Sequence, residues 1–197
     1  MGHSQASKQA THARIVTIAS QRLRMHGLRG IGVADIMEEA GLTVGGFYKH
    51  FATREAFVRE AMAEAFLDTD HWTRRARADL RQAIRVYLSE SHRDAQATSC
   101  GIAAFLNEAG TSGSEARALY TERLRRLLAL IASGLPPDAG DRDARDARAM
   151  LIYSACVGAL TMSRAVSDPK LSRELLNTVA AQLMALAAPR DTAPPDA

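Results

Sequence analysis

No proline precedes Pro136 in this 197-residue chain, whereas seven of its 13 glycines fall within the first 46 residues. Glycine and proline are the strongest local breakers of regular structure. Short, glycine-punctuated elements therefore come first, and long uninterrupted helices come after them. No stretch alternates apolar and polar residues between turn pairs as strands do, so the spacing predicts an all-α fold. Charged residues make up 24% of the chain, and no apolar run approaches the roughly 18 residues that a membrane helix needs. The N-terminus lacks a cationic segment followed by an apolar one, so the protein is expected in the cytoplasm.

The most informative stretch runs from Val33 to Phe51. It reads as two short helices joined by a tight turn, the build of a helix-turn-helix. Gly41 can take the left-handed conformation that stops the first helix. Leu42 supplies an apolar lock for the turn, and the Thr43 hydroxyl is placed to cap the next helix. In that second helix Phe47 and Phe51, at i and i+4, share one buried face. Val44, Gly45, Tyr48 and Lys49 then face outward, where a DNA groove would meet them. Gly45-Gly46 admits two readings. Two glycines cost roughly 1 kcal/mol each relative to alanine in a helix. They serve either close packing on the preceding helix or close approach of the backbone to a duplex.

The placement of charge has two readings, a chance excess of three or a match to DNA. Residues 1–60 hold eight Lys/Arg against five Asp/Glu and four of the six histidines, while the remainder holds 17 charges of each sign. The whole excess of +3 thus lies in the segment that would meet phosphates.

Around this stretch the periodicity predicts a first helix from Lys8 to His26, with Ile15, Ile18, Ala19 and Leu23 on one stripe and Gly27 as its stop. Leu28 and Ile31 then fold back toward the core. Thr53 caps a long helix from Arg54, which carries Phe57, Met62, Ala65 and Phe66. Helices are expected over 79–94, 100–110, 114–133 and 141–166. Asp168-Pro169 is a cap plus first-turn proline for a last helix ending near Ala188. The tail from Pro189 is expected to be disordered.

Residues 15–60 resemble the TetR (tetracycline-repressor-like) family of bacterial regulators. The likeness is carried by Ala34-Asp35-Ile36-Met37-Glu38-Glu39-Ala40-Gly41, Phe47-Tyr48-Lys49-His50-Phe51 and Thr53-Arg54-Glu55-Ala56-Phe57. Gly2-His3-Ser4-Gln5-Ala6, the Thr43–Phe51 stretch and Ser99-Cys100-Gly101 also look like AcrR-type members. The resemblance implies an N-terminal three-helix DNA-binding domain (8–53) and a larger helical domain for effector binding and dimerisation (54–188), with 189–197 as a tail. It implies a homodimer on palindromic operator DNA, a repressor released by a small-molecule effector, and no cofactor. By the same resemblance Thr43, Tyr48, His50 and Arg54 contact phosphates, and Val44, Gly45 and Lys49 read base edges. Gly32 departs from the family, which commonly has Thr or Ser there to cap the second helix and touch phosphate.

In the larger domain, the candidates for lining an effector site are Trp72, Tyr87, His92, Cys100, Phe105, Asn107, Tyr120 and Tyr153. Aromatic residues at helical spacing also serve as plain core. Cys100 and Cys156 lack metal-ligand spacing. Cys100 is either a reactive thiol near a helix start or an inert buried one. Ala155, Gly158 and Ala159 with Leu175, Val179, Leu183 and Leu186 suit a four-helix seam between two subunits, or the same stripe buried within one. No HExxH, Gly-Xaa-Ser-Xaa-Gly, phosphate-cradling loop or metal cluster supports an enzyme. A helical module that binds protein partners is the remaining alternative.

Overall fold

The computed structural model describes residues 5–27, 31–111 and 114–189. Leu28 and residues 190–197 of the expected tail lie outside them. All regular structure among the described residues is helical. The α-helices are α1 (Gln5–His26), α2 (Val33–Glu39), α3 (Arg54–Ala65), α4 (Leu67–Ala78), α5 (Leu80–Tyr87), α6 (Glu90–Asp94), α7 (Gly101–Ala104), α8 (Leu106–Thr111), α9 (Ser114–Gly134), α10 (Arg142–Ala165) and α11 (Pro169–Leu186). None among the described residues is long and apolar enough to cross a membrane.

The chain forms two compact units, Met1–Thr69 with Ala95–Tyr120, and Asp70–Asp94 with Thr121–Ala197. In the first, α1 packs on α2, α3, α7 and the turn Gln96–Thr98. Its buried stripe of Ile15, Ala19 and Leu23 meets a core that includes Ile31, Ile36, Met37, Phe57 and Phe66. Each such Ile, Leu, Met or Phe side chain contributes about 1.5–3 kcal/mol on burial, which is what holds the short helices here. In the second unit α10 and α11 form a hairpin, and α5 packs on both. Ile84, Tyr87, Ile152, Cys156, Leu160 and Leu176 are buried there.

Several helix ends match the sequence reading. Gly27 has φ 67° after α1. Thr53 Oγ1 accepts from the Ala56 N–H at 3.0 Å. Asp141 accepts from the Ala144 N–H at 2.9 Å, and Asp168, followed by Pro169, from the Lys170 N–H at 2.8 Å.

Three expected helices are broken instead. The helix from Arg54 stops at Ala65, whose carbonyl accepts from Arg24 Nη2 at 3.0 Å. A donor from outside the helix thus takes up an end carbonyl. The 79–94 helix is interrupted at Leu88 and Ser89, where the Ser89 hydroxyl accepts the His92 N–H at 3.2 Å and starts α6 afresh. The 100–110 helix divides at Phe105.

Candidate nucleic-acid interface

The turn after α2 is built as its sequence requires. Gly41 adopts φ 67°, its N–H donates to the Glu38 carbonyl at 2.8 Å, and the Leu42 N–H donates to the Met37 carbonyl at 2.8 Å. Those two bonds satisfy end carbonyls of α2 and turn the chain. At its other end α2 begins at Gly32 with no side-chain cap, as the missing hydroxyl there leads one to expect.

The segment after the turn differs from the expected α-helix. Val44–Lys49 is a single 3-10 segment, and the Thr43 hydroxyl makes no cap bond. Closure is by backbone: the Gly46 N–H donates to the Thr43 carbonyl at 2.9 Å and the His50 N–H to the Phe47 carbonyl at 2.9 Å. Two glycines in six residues leave little intrinsic helix preference, so the tighter three-residue repeat is what tertiary anchoring holds in place. That anchor is a trio of phenylalanines. Phe47 and Phe51 are 1% and 2% exposed, and their rings lie 5.2 Å apart. Phe57 of α3 meets Phe47 edge-on at 5.3 Å and Phe51 at 4.8 Å.

The glycine pair is not a packing device. A Cβ at Gly45 would meet nothing within 4 Å, and one at Gly46 would make ordinary contacts with Met37 at 3.6 Å and Thr43 at 3.9 Å. Of the two readings of the pair, close packing on α2 is therefore excluded. Outward from the trio, Tyr48 is 75% exposed and Val44 51%. Thr43, Gly45, Lys49 and Arg54 are exposed as well, while Gly46 and His50 are half-buried.

Among the described residues of this segment, His50 is the group whose titration is clearly perturbed. Burial, followed by the charges of His12, Lys8 and Lys49, lowers its pKa from the ordinary value of 6.5. Its Nδ1 is buried without a hydrogen-bond partner. His12, on α1, lies over Phe51 with ring centroids 4.5 Å apart, and its Nε2 is 2.6 Å from Glu60 Oε2 on α3. Lys8, His12 and Glu60 escaped the sequence reading because no local pattern pairs side chains 48 positions apart.

The eight effector candidates fall into two groups. Trp72, Tyr87, His92 and Tyr153 come together in the second unit, with Trp72 6.0 Å from Tyr153 and Tyr87 4.7 Å from His92. Trp72 Nε1 donates to the Ala83 carbonyl at 3.0 Å. His92 Nδ1 lies 2.6 Å from the Tyr87 carbonyl, which can only accept, so Nδ1 carries the proton. Cys100, Phe105, Asn107 and Tyr120 belong to the first unit. Phe105 packs edge-on against Phe66 at 5.6 Å, and the Tyr120 hydroxyl donates to the Ile102 carbonyl at 3.1 Å. Burial, and then neighbouring Cys100, push that hydroxyl up to about 12. Cys100 is itself buried, and Asn107 is exposed.

On α10 and α11 the expected seam divides by helical phase. Ala155, Gly158, Leu175, Val179 and Leu186 are half-buried. Ala159 and Leu183 are 1% and 5% exposed and so are taken up inside the subunit. Ala159 continues the buried stripe of Ile152, Cys156 and Ser163, and Leu183 that of Leu176, Ala180 and Ala187. One step round α10, Leu151 and Met162 flank Ala155 and Gly158 as exposed apolar residues, and Leu171 does the same for Leu175 on α11.

Residues 15–61 match the family model described as bacterial regulatory proteins, tetR family. None of the curated proteins matches the chain in sequence. Among solved structures, a TetR transcriptional regulator from Chloroflexus aurantiacus J-10-FL is similar at 21% identity, with TM-score 0.73 over 92% of this chain and 96% of that one. A TetR-family regulator from Cytophaga hutchinsonii gives 19%, 0.74, 95% and 96%. The reduced form of E. coli NemR gives 20%, 0.69, 90% and 97%. At such identities the likeness establishes the fold. Residues 15–61 thus match the tetR family model, and the chain shares the fold of these solved TetR regulators over 90% or more of its length.

Proposed function

We propose that the protein is a ligand-responsive transcriptional repressor, not an enzyme, that acts in the cytoplasm. It binds a palindromic operator as a homodimer and is released by a small-molecule effector. The observation that carries this reading is Tyr48, 75% exposed on a segment whose neighbours Phe47 and Phe51 are buried. A phenol ring held in solvent beside exposed Val44, Lys49 and the open backbone at Gly45 is a surface shaped for a partner. In this reading Thr43, Tyr48, His50 and Arg54 hold phosphates, and Val44, Gly45, Gly46 and Lys49 bring backbone and side chains to base edges. Residues 8–53 then serve as the DNA-contacting domain and 54–188 as the effector and dimer domain. Trp72, Tyr87, His92 and Tyr153 supply stacking faces and polar edges for an aromatic or conjugated effector. Leu151, Ala155, Gly158, Met162, Leu171, Leu175, Val179 and Leu186 form the seam to a second copy. Two-fold symmetry presents two reading segments to successive major grooves.

The test is selection of binding sequences from a random duplex pool, followed by affinity measurements on the winner. The expected winner is an inverted repeat, and Tyr48→Ala weakens binding to it roughly tenfold or more while leaving the melting temperature near wild type. A winner without two-fold symmetry, or a Tyr48→Ala protein that binds as tightly as wild type, sinks the reading.

A further inference from the structure

His50 stands in an unusual electrostatic position. From α1 it faces Lys8 and His12, and from its own segment Lys49, all of one sign. The Nε2 of His12 is bonded to Glu60 of α3 at 2.6 Å. His12 is braced in turn by Phe51, and its ring centroid lies 6.1 Å from that of His50. The buried Nδ1 of His50 has no acceptor. Nε2 is the ring nitrogen left to meet a partner from outside. Every neighbour thus opposes a charge on His50 in the free protein, and a phosphate ester oxygen at Nε2 would reverse that balance.

We propose that Lys8 and His12, both on α1, complete with His50 a receptor for one DNA backbone phosphate, and that DNA binding at this receptor takes up a proton on His50. The inference rests on the DNA-binding reading and adds to it a site on α1 and a pH dependence. Lys8 contributes charge. His12 is a positioning residue: bonded to Glu60 and packed on Phe51, it is held beside His50, where its charge opposes protonation of His50 until a phosphate arrives. The sign is set by linkage. The bound state holds His50 protonated to a higher pH than the free state does, so affinity rises as pH falls between the two pKa values. The upper edge of that window is set by the phosphate, and the lower edge lies below 6.5.

The experiment measures fluorescence anisotropy of a labelled random-sequence DNA duplex at low salt, from about pH 7.5 to about pH 5.5, around the ordinary histidine range. For the wild type, affinity is expected to rise by up to about tenfold per pH unit within the window. His50→Gln, which keeps an N–H donor but cannot titrate, loses that rise. His12→Ala removes a charge that opposes protonation of His50 in the absence of DNA, and so narrows the window and flattens the profile. Lys8→Ala, an exposed change that does not threaten folding, retains the profile but binds more weakly and lowers the salt slope by about one. Circular dichroism at each pH confirms that the variants are folded. A wild-type profile that superposes on that of His50→Gln overturns the proposal and leaves DNA binding intact. A Lys8→Ala protein with unchanged affinity and salt slope removes α1 from the site. A wild type that does not bind the duplex overturns the function reading itself.

Discussion

Two of the molecule's aromatic clusters are made of different rings. Phe47, Phe51 and Phe57 are hydrocarbon, and all three are buried. Trp72, Tyr87, His92 and Tyr153 each carry a polar edge, and two of those edges are bonded to backbone carbonyls. A hydrocarbon ring asks only for close packing and can fix a neighbouring segment without directing it. A ring with a polar edge must also be given a partner when water is removed. The first cluster is therefore a foundation for the segment above it, and the second is chemically equipped to exchange partners. The chain thus puts its featureless rings beneath Val44–Lys49 and its versatile rings in the second unit.

The sharpest way to break this contrast is Phe47→Ala. Losing a fully buried ring there should cost about 3–5 kcal/mol and abolish duplex binding. Chemical denaturation gives the number, and a loss below about 1 kcal/mol would show that the trio is not the foundation. Next in size is Thr53→Ala, which removes the cap of α3 beside the same cluster. It should cost about 1 kcal/mol in the same titration, with duplex affinity near wild type once the protein is folded. The smallest stability effect is expected for Trp72→Phe, about 0.5–1 kcal/mol, because a ring remains and one N–H···O bond is lost. Its effect on the response to any effector should be the larger one. A screen in which Trp72→Phe melts several kcal/mol early, with its ligand response unaltered, would make the second cluster ordinary core.

The parts of the fold that a reader of the sequence could see are those fixed by neighbours along the chain. The i, i+4 spacing of Phe47 and Phe51, the left-handed glycines at 27 and 41 and the Thr53 and Asp168 caps each depend on a handful of consecutive residues. What the sequence concealed depends on distant partners. Nothing near Ala65 announces that Arg24 will occupy its carbonyl, so an unbroken helix was the natural expectation. The 3-10 form of Val44–Lys49 is a compromise between weak local preference and the phenylalanine anchor, and only the second was legible. Outward-facing candidates such as Tyr48 and Lys49 came from the phase set by Phe47. On α10 and α11 the subunit buries Ala159 and Leu183 of the expected seam within itself, since apolar residues on adjacent phases look alike until the packing chooses between them.

Arg24 has a further consequence. Its guanidinium donates to the carbonyls of Ala65 and Ala97, at 3.0 Å and 2.9 Å. Beside it Gly101 lies so close to the Ala65 carbonyl that a Cβ would come within 2.8 Å. A stretch from the middle of the chain is thereby stitched to α1 and α3. The compact unit that carries Tyr48 is thus discontinuous in sequence. Cutting after Phe66 would strip that ring of Phe105 and Arg24 of its bond to the Ala97 carbonyl. Whatever displaces residues 95–105 pulls on the root of α1.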